Sequence, residues 1–73
     1  MSNPLIKAIN QAGGQKALAD RIGTTQSMVW YWLMRAKKGV PPEVAIRIER
    51  ATEGAVSRAD LRPDIFAVDE VTA

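Results

Sequence analysis

Apolar residues recur at helical spacing along the chain, in short runs that glycine and proline separate. The first run begins at Asn3-Pro4, a capping residue followed by proline at the first helical position, and ends at Gly13-Gly14. Its apolar stripe consists of Leu5, Ile9 and Ala12. The pattern predicts a helix between these two boundaries.

Two further helices are predicted on either side of a glycine turn. The first runs from Gln15 to Ile22 and ends at Gly23, because glycine accepts a left-handed turn without a steric penalty. Either Thr24 or Thr25 can cap the next helix, which we expect over residues 26–37. Two short helices joined by such a turn are typical of a helix-turn-helix motif.

A fourth helix is predicted from Pro41-Pro42 to Gly54, with Glu43 and Arg47 spaced for an i,i+4 ion pair. A last helical turn is expected over residues 57–61. Only residues 65–68 resemble an extended segment. The sequence therefore predicts an all-α fold, a compact domain of four to five helices.

The third helix carries large apolar side chains on both sides when its residues are placed at ~100° intervals. One face is expected to join the core: Val29, Trp32, Leu33 and Ala36. The opposite face carries Ser27, Trp30, Tyr31, Met34 and Lys38. A solvent-facing stripe is normally polar, so this second face indicates a binding surface.

Duplex DNA is a partner that fits this face. Gln26 can bond to base edges in the major groove, and Ser27 can bond to a base or a phosphate. Trp30, Tyr31 and Met34 can touch thymine methyl groups or pack on sugars. Candidate phosphate contacts flank the face: Gln15, Lys16, Arg35, Lys37 and Lys38.

Two stretches carry a family resemblance. The segment GGQKALADRIGTTQSMVWYWL resembles the helix-turn-helix of phage Cro repressors, and IERATEGAVSRADLRPDIF resembles the C-terminal half of the YdaS-like group of prophage Cro-type regulators. The resemblance places the base-reading positions on Thr25, Gln26, Ser27, Trp30 and Tyr31. Trp30 stands where the family usually has a smaller or polar residue. The family implies a lambda-repressor-like helix-turn-helix domain. It also implies a homodimer that binds a palindromic operator and represses a phage or prophage gene.

An alternative function stays open, because members of this group are often assigned as antitoxins. In that case Trp30, Tyr31 and Met34 would dock a protein partner such as a toxin, since aromatic residues and methionine are enriched at interfaces. Contact with DNA is favoured for Trp30, and the alternatives are a dimer or partner surface, followed by partial burial. Ile65, Phe66 and Val68 either complete the core or form a dimer contact.

Composition excludes most catalytic functions. The chain has 73 residues and no cysteine or histidine, which removes the common zinc sites and the usual general base of nucleophilic catalysis. We therefore expect no enzyme activity and no cofactor. The chain has no long apolar segment and no signal-peptide pattern, so we expect a cytoplasmic protein without a membrane partner.

Charge divides the chain into two parts. Residues 1–62 hold ten bases and five acids (10 − 5 = +5), whereas residues 63–73 hold three acids and no base (−3), which gives the net +2. The basic part favours a polyanionic partner. We expect a DNA-binding domain over residues 1–66 and an acidic, mobile tail over residues 67–73.

Overall fold

A computed structural model of the chain describes residues 3–66. Five helices follow one another: α1 (Pro4–Ala12), α2 (Gln15–Ile22), α3 (Gln26–Met34), α4 (Pro42–Ala51) and α5 (Arg58–Leu61). Residues 3–66 contain no strand, so the predicted all-α class is confirmed. Ile65 and Phe66 lie in a turn and are not extended as expected. The rest of the segment expected to be extended, Val68 included, and the tail of residues 67–73 lie outside the described part, and the domain boundary at residue 66 stays a prediction.

Side chains cap three of the five helices at the positions that the sequence indicates. The Asn3 carboxamide oxygen accepts the backbone N–H of Leu5 at 2.8 Å. Of the two threonines that could cap α3, Thr25 does so, and its hydroxyl oxygen accepts from the backbone N–H of Met28 at 3.2 Å. Ser57 and Asp60 cap α5 reciprocally. These bonds satisfy backbone donors that have no partner within the helix.

The turn between α2 and α3 depends on the backbone freedom of Gly23. Its φ of +76° lies in the left-handed region, and the Thr24 N–H bonds back to the Ala19 carbonyl at 2.9 Å. A Cβ at position 23 would meet only an Arg47 nitrogen at 4.0 Å. The backbone conformation, rather than a lack of space, therefore requires glycine here.

The third helix is shorter than predicted, because α3 ends at Met34 and not at Lys37. The N–H groups of Arg35 and Ala36 both bond to the Tyr31 carbonyl, at 2.8 and 3.0 Å, which closes the last turn. The chain then reverses at Gly39 (φ +82°) and buries Val40. Apolar residues keep their helical spacing through residue 36, but the free energy gained by burying Val40 exceeds that of continuing the helix.

The core forms around α2, which packs against α1, α3 and α4, while α5 contacts α4 and α1. Among residues 3–66, thirteen apolar residues are buried: Leu5, Ala8, Ile9, Leu18, Ala19, Ile22, Val29, Trp32, Val40, Val44, Ala45, Ile48 and Val56. The stripe predicted for α1 contributes Leu5 and Ile9 to this core, and Ala12 is partly buried against it. Leu33, Ala36 and Phe66 are partly buried against it, whereas Ile65 is exposed.

Two polar side chains, those of Thr52 and Arg62, stabilise the loops that follow α3 and α4 through hydrogen bonds to the backbone. The Thr52 hydroxyl donates to the Ile48 carbonyl at 2.9 Å and accepts the N–H of Val56 at 3.2 Å. Arg62 is buried and donates to the Val40 carbonyl at 3.0 Å. The two loops thus present Val40 and Val56 to the core with the Val40 carbonyl and the Val56 N–H paired.

Arg62 also forms a two-bond ion pair with Asp64, at 2.9 and 2.7 Å. The hydrogen bond from Arg62 holds the pKa of Asp64 below its ordinary value, and the same bond raises the pKa of Arg62. The predicted pair of Glu43 with Arg47 is wrong: the two side chains form no ion pair within 4 Å, and Arg47 donates to the Ile22 carbonyl at 3.3 Å. This bond occupies a carbonyl at the end of α2.

Candidate nucleic-acid interface

The α3 helix is anchored on one side and open on the other, as its pattern predicts. Val29 and Trp32 hold it against the core, with exposed fractions of 0% and 7%. On the opposite face Trp30, Tyr31 and Met34 are 44%, 48% and 60% exposed. The two tryptophans, which lie two positions apart, therefore have different roles, since Trp32 belongs to the core and Trp30 to the surface.

One shallow concavity gathers most of the candidate side chains on this surface. It is lined by Gln15, Gln26, Ser27, Trp30 and Tyr31. Gln15 comes from the start of α2 and the other four from α3. Two carboxamides and a hydroxyl, which donate and accept hydrogen bonds, thus surround two aromatic rings. Such a surface can bond polar edges and contact apolar groups at the same time.

Thr25 precedes this concavity and does not line it. Its hydroxyl oxygen is occupied as the acceptor for the Met28 N–H, while the hydroxyl proton remains to donate. Thr25 is therefore suited first to starting α3, and a contact with DNA can use its hydroxyl proton or its second lone pair.

Arg35 lies over the ring of Trp30, with its guanidinium carbon 5.9 Å from the ring centroid. The sequence indicates only a separate phosphate contact for Arg35 and does not predict this cation–π contact. The spacing of five residues is not a helical neighbour spacing. It becomes a contact because α3 ends at Met34 and the chain turns at Arg35.

At the start of α2, backbone N–H groups that can donate hydrogen bonds lie near Lys16, whose charge Asp20 partly neutralises. Gly14 is the N-cap and provides no side-chain acceptor for the first N–H groups of α2. Lys16 lies 3.8 Å from Asp20, and both side chains are mostly exposed. An exposed pair of this kind is weak, so Lys16 can exchange Asp20 for another anion. The i,i+4 spacing of the two residues is the feature of the sequence that could have predicted this pair.

Lys37 and Lys38 lie apart from the concavity, in the loop between α3 and α4. They border a different groove, whose apolar floor includes Leu5 and Leu61. Lys38 also contributes, less than Arg62 does, to lowering the pKa of Asp64. The structure thus brings the two lysines near the end of α3 but not onto its exposed face.

Within residues 3–66, no cluster of three acidic, histidine or cysteine side chains is arranged to hold a metal ion. None of the five helices in this part of the chain has the length and apolar character that crossing a membrane requires.

Comparisons with known proteins connect this geometry to a family. The model of the family described as bacterial toxin YdaS matches residues 5–70. The "Putative transcriptional regulator YdaS" of Escherichia coli K12 is 42% identical over 53 residues, which cover 73% of this chain and 53% of that protein. The matched region thus spans about half the length of that relative. The solved structure of the Cro protein from the prophage element Xfaso 1 of Xylella fastidiosa strain Ann-1 is 43% identical, superposes with a TM-score of 0.84, and is matched over 92% of this chain and 100% of its own.

Proposed function

Since the chain belongs to the YdaS family, we propose that it is a Cro-type transcriptional regulator that binds duplex DNA through α3. One observation carries this proposal. The second helix of the helix-turn-helix, α3, contributes four residues to one exposed concavity: Gln26, Ser27, Trp30 and Tyr31. Gln15, at the start of α2, lines the same concavity. The likeness to a Cro protein at 43% identity supports it. A helix so exposed can enter the major groove while α2 remains packed behind it.

The exposed face divides into two kinds of contact. Gln26 and Ser27 bond to base edges, and Trp30 and Tyr31 touch apolar groups on the bases. Thr25 contributes its hydroxyl proton at the start of α3. Phosphates are bound by the free N–H groups and side chains at Gln15 and Lys16, and by Arg35, Lys37 and Lys38.

The finer parts of the proposal follow from the family. The protein acts as a homodimer on a palindromic operator, with half-sites about one helical turn apart, and represses a phage or prophage gene. It works in the bacterial cytoplasm, where the chromosome lies, and it is not an enzyme.

The direct test is selection of duplexes from a random pool, followed by fluorescence anisotropy over a salt series. We expect selected binding that weakens linearly with log salt concentration. Gln26→Ala should relax the preference at one position of each half-site, at about 1–3 kcal/mol per good contact. Met28→Ala, an exposed position of α3 outside the concavity, is the matched control. Binding without any sequence preference would refute the proposal.

The exposure of Trp30, Tyr31 and Met34 favours a second candidate, a protein-docking surface. The description of the family as a toxin agrees with an effect on cell growth that such docking could produce. The two functions separate when the chain is induced in cells that lack the operator. Growth inhibition that Gln26→Ala retains and Met34→Ala loses would favour docking. Inhibition that Gln26→Ala abolishes would assign the effect to DNA binding.

A further inference from the structure

The concavity on α3 has an apolar part that hydrogen bonding to base edges does not explain. Trp30 and Tyr31 are neighbours in sequence and line the same depression, and both rings are about half exposed. The polar groups of Gln15, Gln26 and Ser27 line it with them. A surface meant only for hydrogen bonds would not need two rings, so the rings indicate an apolar ligand group.

The Trp30 ring has a cationic neighbour outside the concavity. The guanidinium carbon of Arg35, the first residue after α3, lies 5.9 Å from the ring centroid. A cation at this distance from an aromatic face is attracted to the ring, which favours the ring position that lines the concavity.

The major groove offers one apolar group at base level, the C5-methyl of a pyrimidine. Resting on the DNA-binding function proposed above, we propose that Trp30 and Tyr31 form a receptor for this methyl group and that Trp30 is its specificity-determining residue. Thymine and 5-methylcytosine both carry the group. They differ beside it, where thymine presents an acceptor and cytosine a donor, and the nearby carboxamides of Gln15 and Gln26 can bond to either.

The test replaces each thymine of the selected operator with deoxyuridine in turn, which removes the methyl and leaves the base pairing intact. At one position of each half-site, binding should weaken about fourfold, the effect of returning one methyl-sized group to water. A second set of duplexes compares cytosine with 5-methylcytosine at that position. If methylation of cytosine increases the affinity, the methyl group alone is the ligand. If the methyl group increases the affinity only on thymine, the receptor is specific for thymine.

Variants determine which side chain senses the methyl. In Trp30→Ala the affinity ratio of thymine to deoxyuridine should fall to about one, whereas Met28→Ala should keep the full ratio. Arg35→Lys keeps the charge but loses the planar stacking group, so it should reduce the ratio while leaving the salt slope unchanged. Trp30 lies outside the core, so loss of folding is not expected, and circular dichroism of each variant verifies this.

Two results would overturn the receptor while leaving the regulator intact. One is an operator bound with sequence preference whose affinity no deoxyuridine substitution changes. The other is a methyl effect that persists in Trp30→Ala, which would place it in the shape of the DNA. Failure of the proposed function itself would differ, because no operator would then be selected.

Discussion

Replacing Thr52 with valine should destabilise the protein through a single hydroxyl. Valine has nearly the same shape, so packing is conserved and the lost atom is the hydroxyl that accepts the Val56 N–H at 3.2 Å. Val56 is fully buried, so water cannot replace that acceptor. The Ile48 carbonyl suffers less, because it still accepts the backbone N–H of residue 52 at 2.9 Å. The cost is therefore that of one buried unpaired donor, ~1–3 kcal/mol.

This loss is large for so small a domain, whose whole stability is expected to be about 4–11 kcal/mol at the usual value per residue. A loss of about 2 kcal/mol should lower the melting temperature by roughly 8–16 °C. Thermal and urea unfolding followed by circular dichroism measure it. Thr52→Ser keeps the hydroxyl and loses at most one buried methyl, about 0.8 kcal/mol, so it should be more stable than Thr52→Val. If the valine variant equals or exceeds the serine variant in stability, the buried hydroxyl does not hold the loop after α4.

Three further perturbations test other parts of the structure. Lys38→Gln should weaken binding to all duplexes alike and reduce the salt slope by about 0.9 per protomer; an unchanged slope in anisotropy would remove Lys38 from the phosphate contacts. Gly23→Ala should cost about 1–2 kcal/mol in urea unfolding, because alanine is strained at a φ of +76°, and an unchanged midpoint would contradict that strain. The lowered pKa of Asp64 adds stability above its unfolded value, ordinarily 3.8, and that stability is lost as the pH falls through the folded value. Asp64→Asn should therefore flatten the acid limb of the stability curve, and two superimposable curves would show that the pair with Arg62 contributes nothing.

Most helix boundaries could be predicted because their signals are local. Proline and a capping side chain start α1, and glycine with a positive φ ends both α1 and α2. The exposed face of α3 was predictable for a similar reason, since 3.6-residue periodicity separates Trp30 from Trp32 whatever the rest of the chain does. These features depend on residues within one or two turns of each other.

The missed features involve partners distant in sequence. Val40 and Val56 enter the core from loops, where no periodicity marks them. The burial of Val40 shortens α3, and this shortening in turn brings Arg35 over Trp30. Arg47 donates to a carbonyl 25 positions away rather than to its helical neighbour. Local spacing could not predict these contacts, because each one requires the packing of α3 and α4 to be known first.

The shortness of α3 limits how much sequence information one protomer can read. Nine helical residues extend about 14 Å along the helix axis. At 3.4 Å per base pair, this covers about four base pairs of one half-site. The two half-sites of the proposed dimer would specify about eight pairs, a pattern that random DNA contains roughly once in 65,000 positions when all four pairs are distinguished. Even a genome offering on the order of 10⁶ positions holds about fifteen chance matches. Under the proposed dimeric binding, so short a helix therefore cannot by itself single out one operator in a genome.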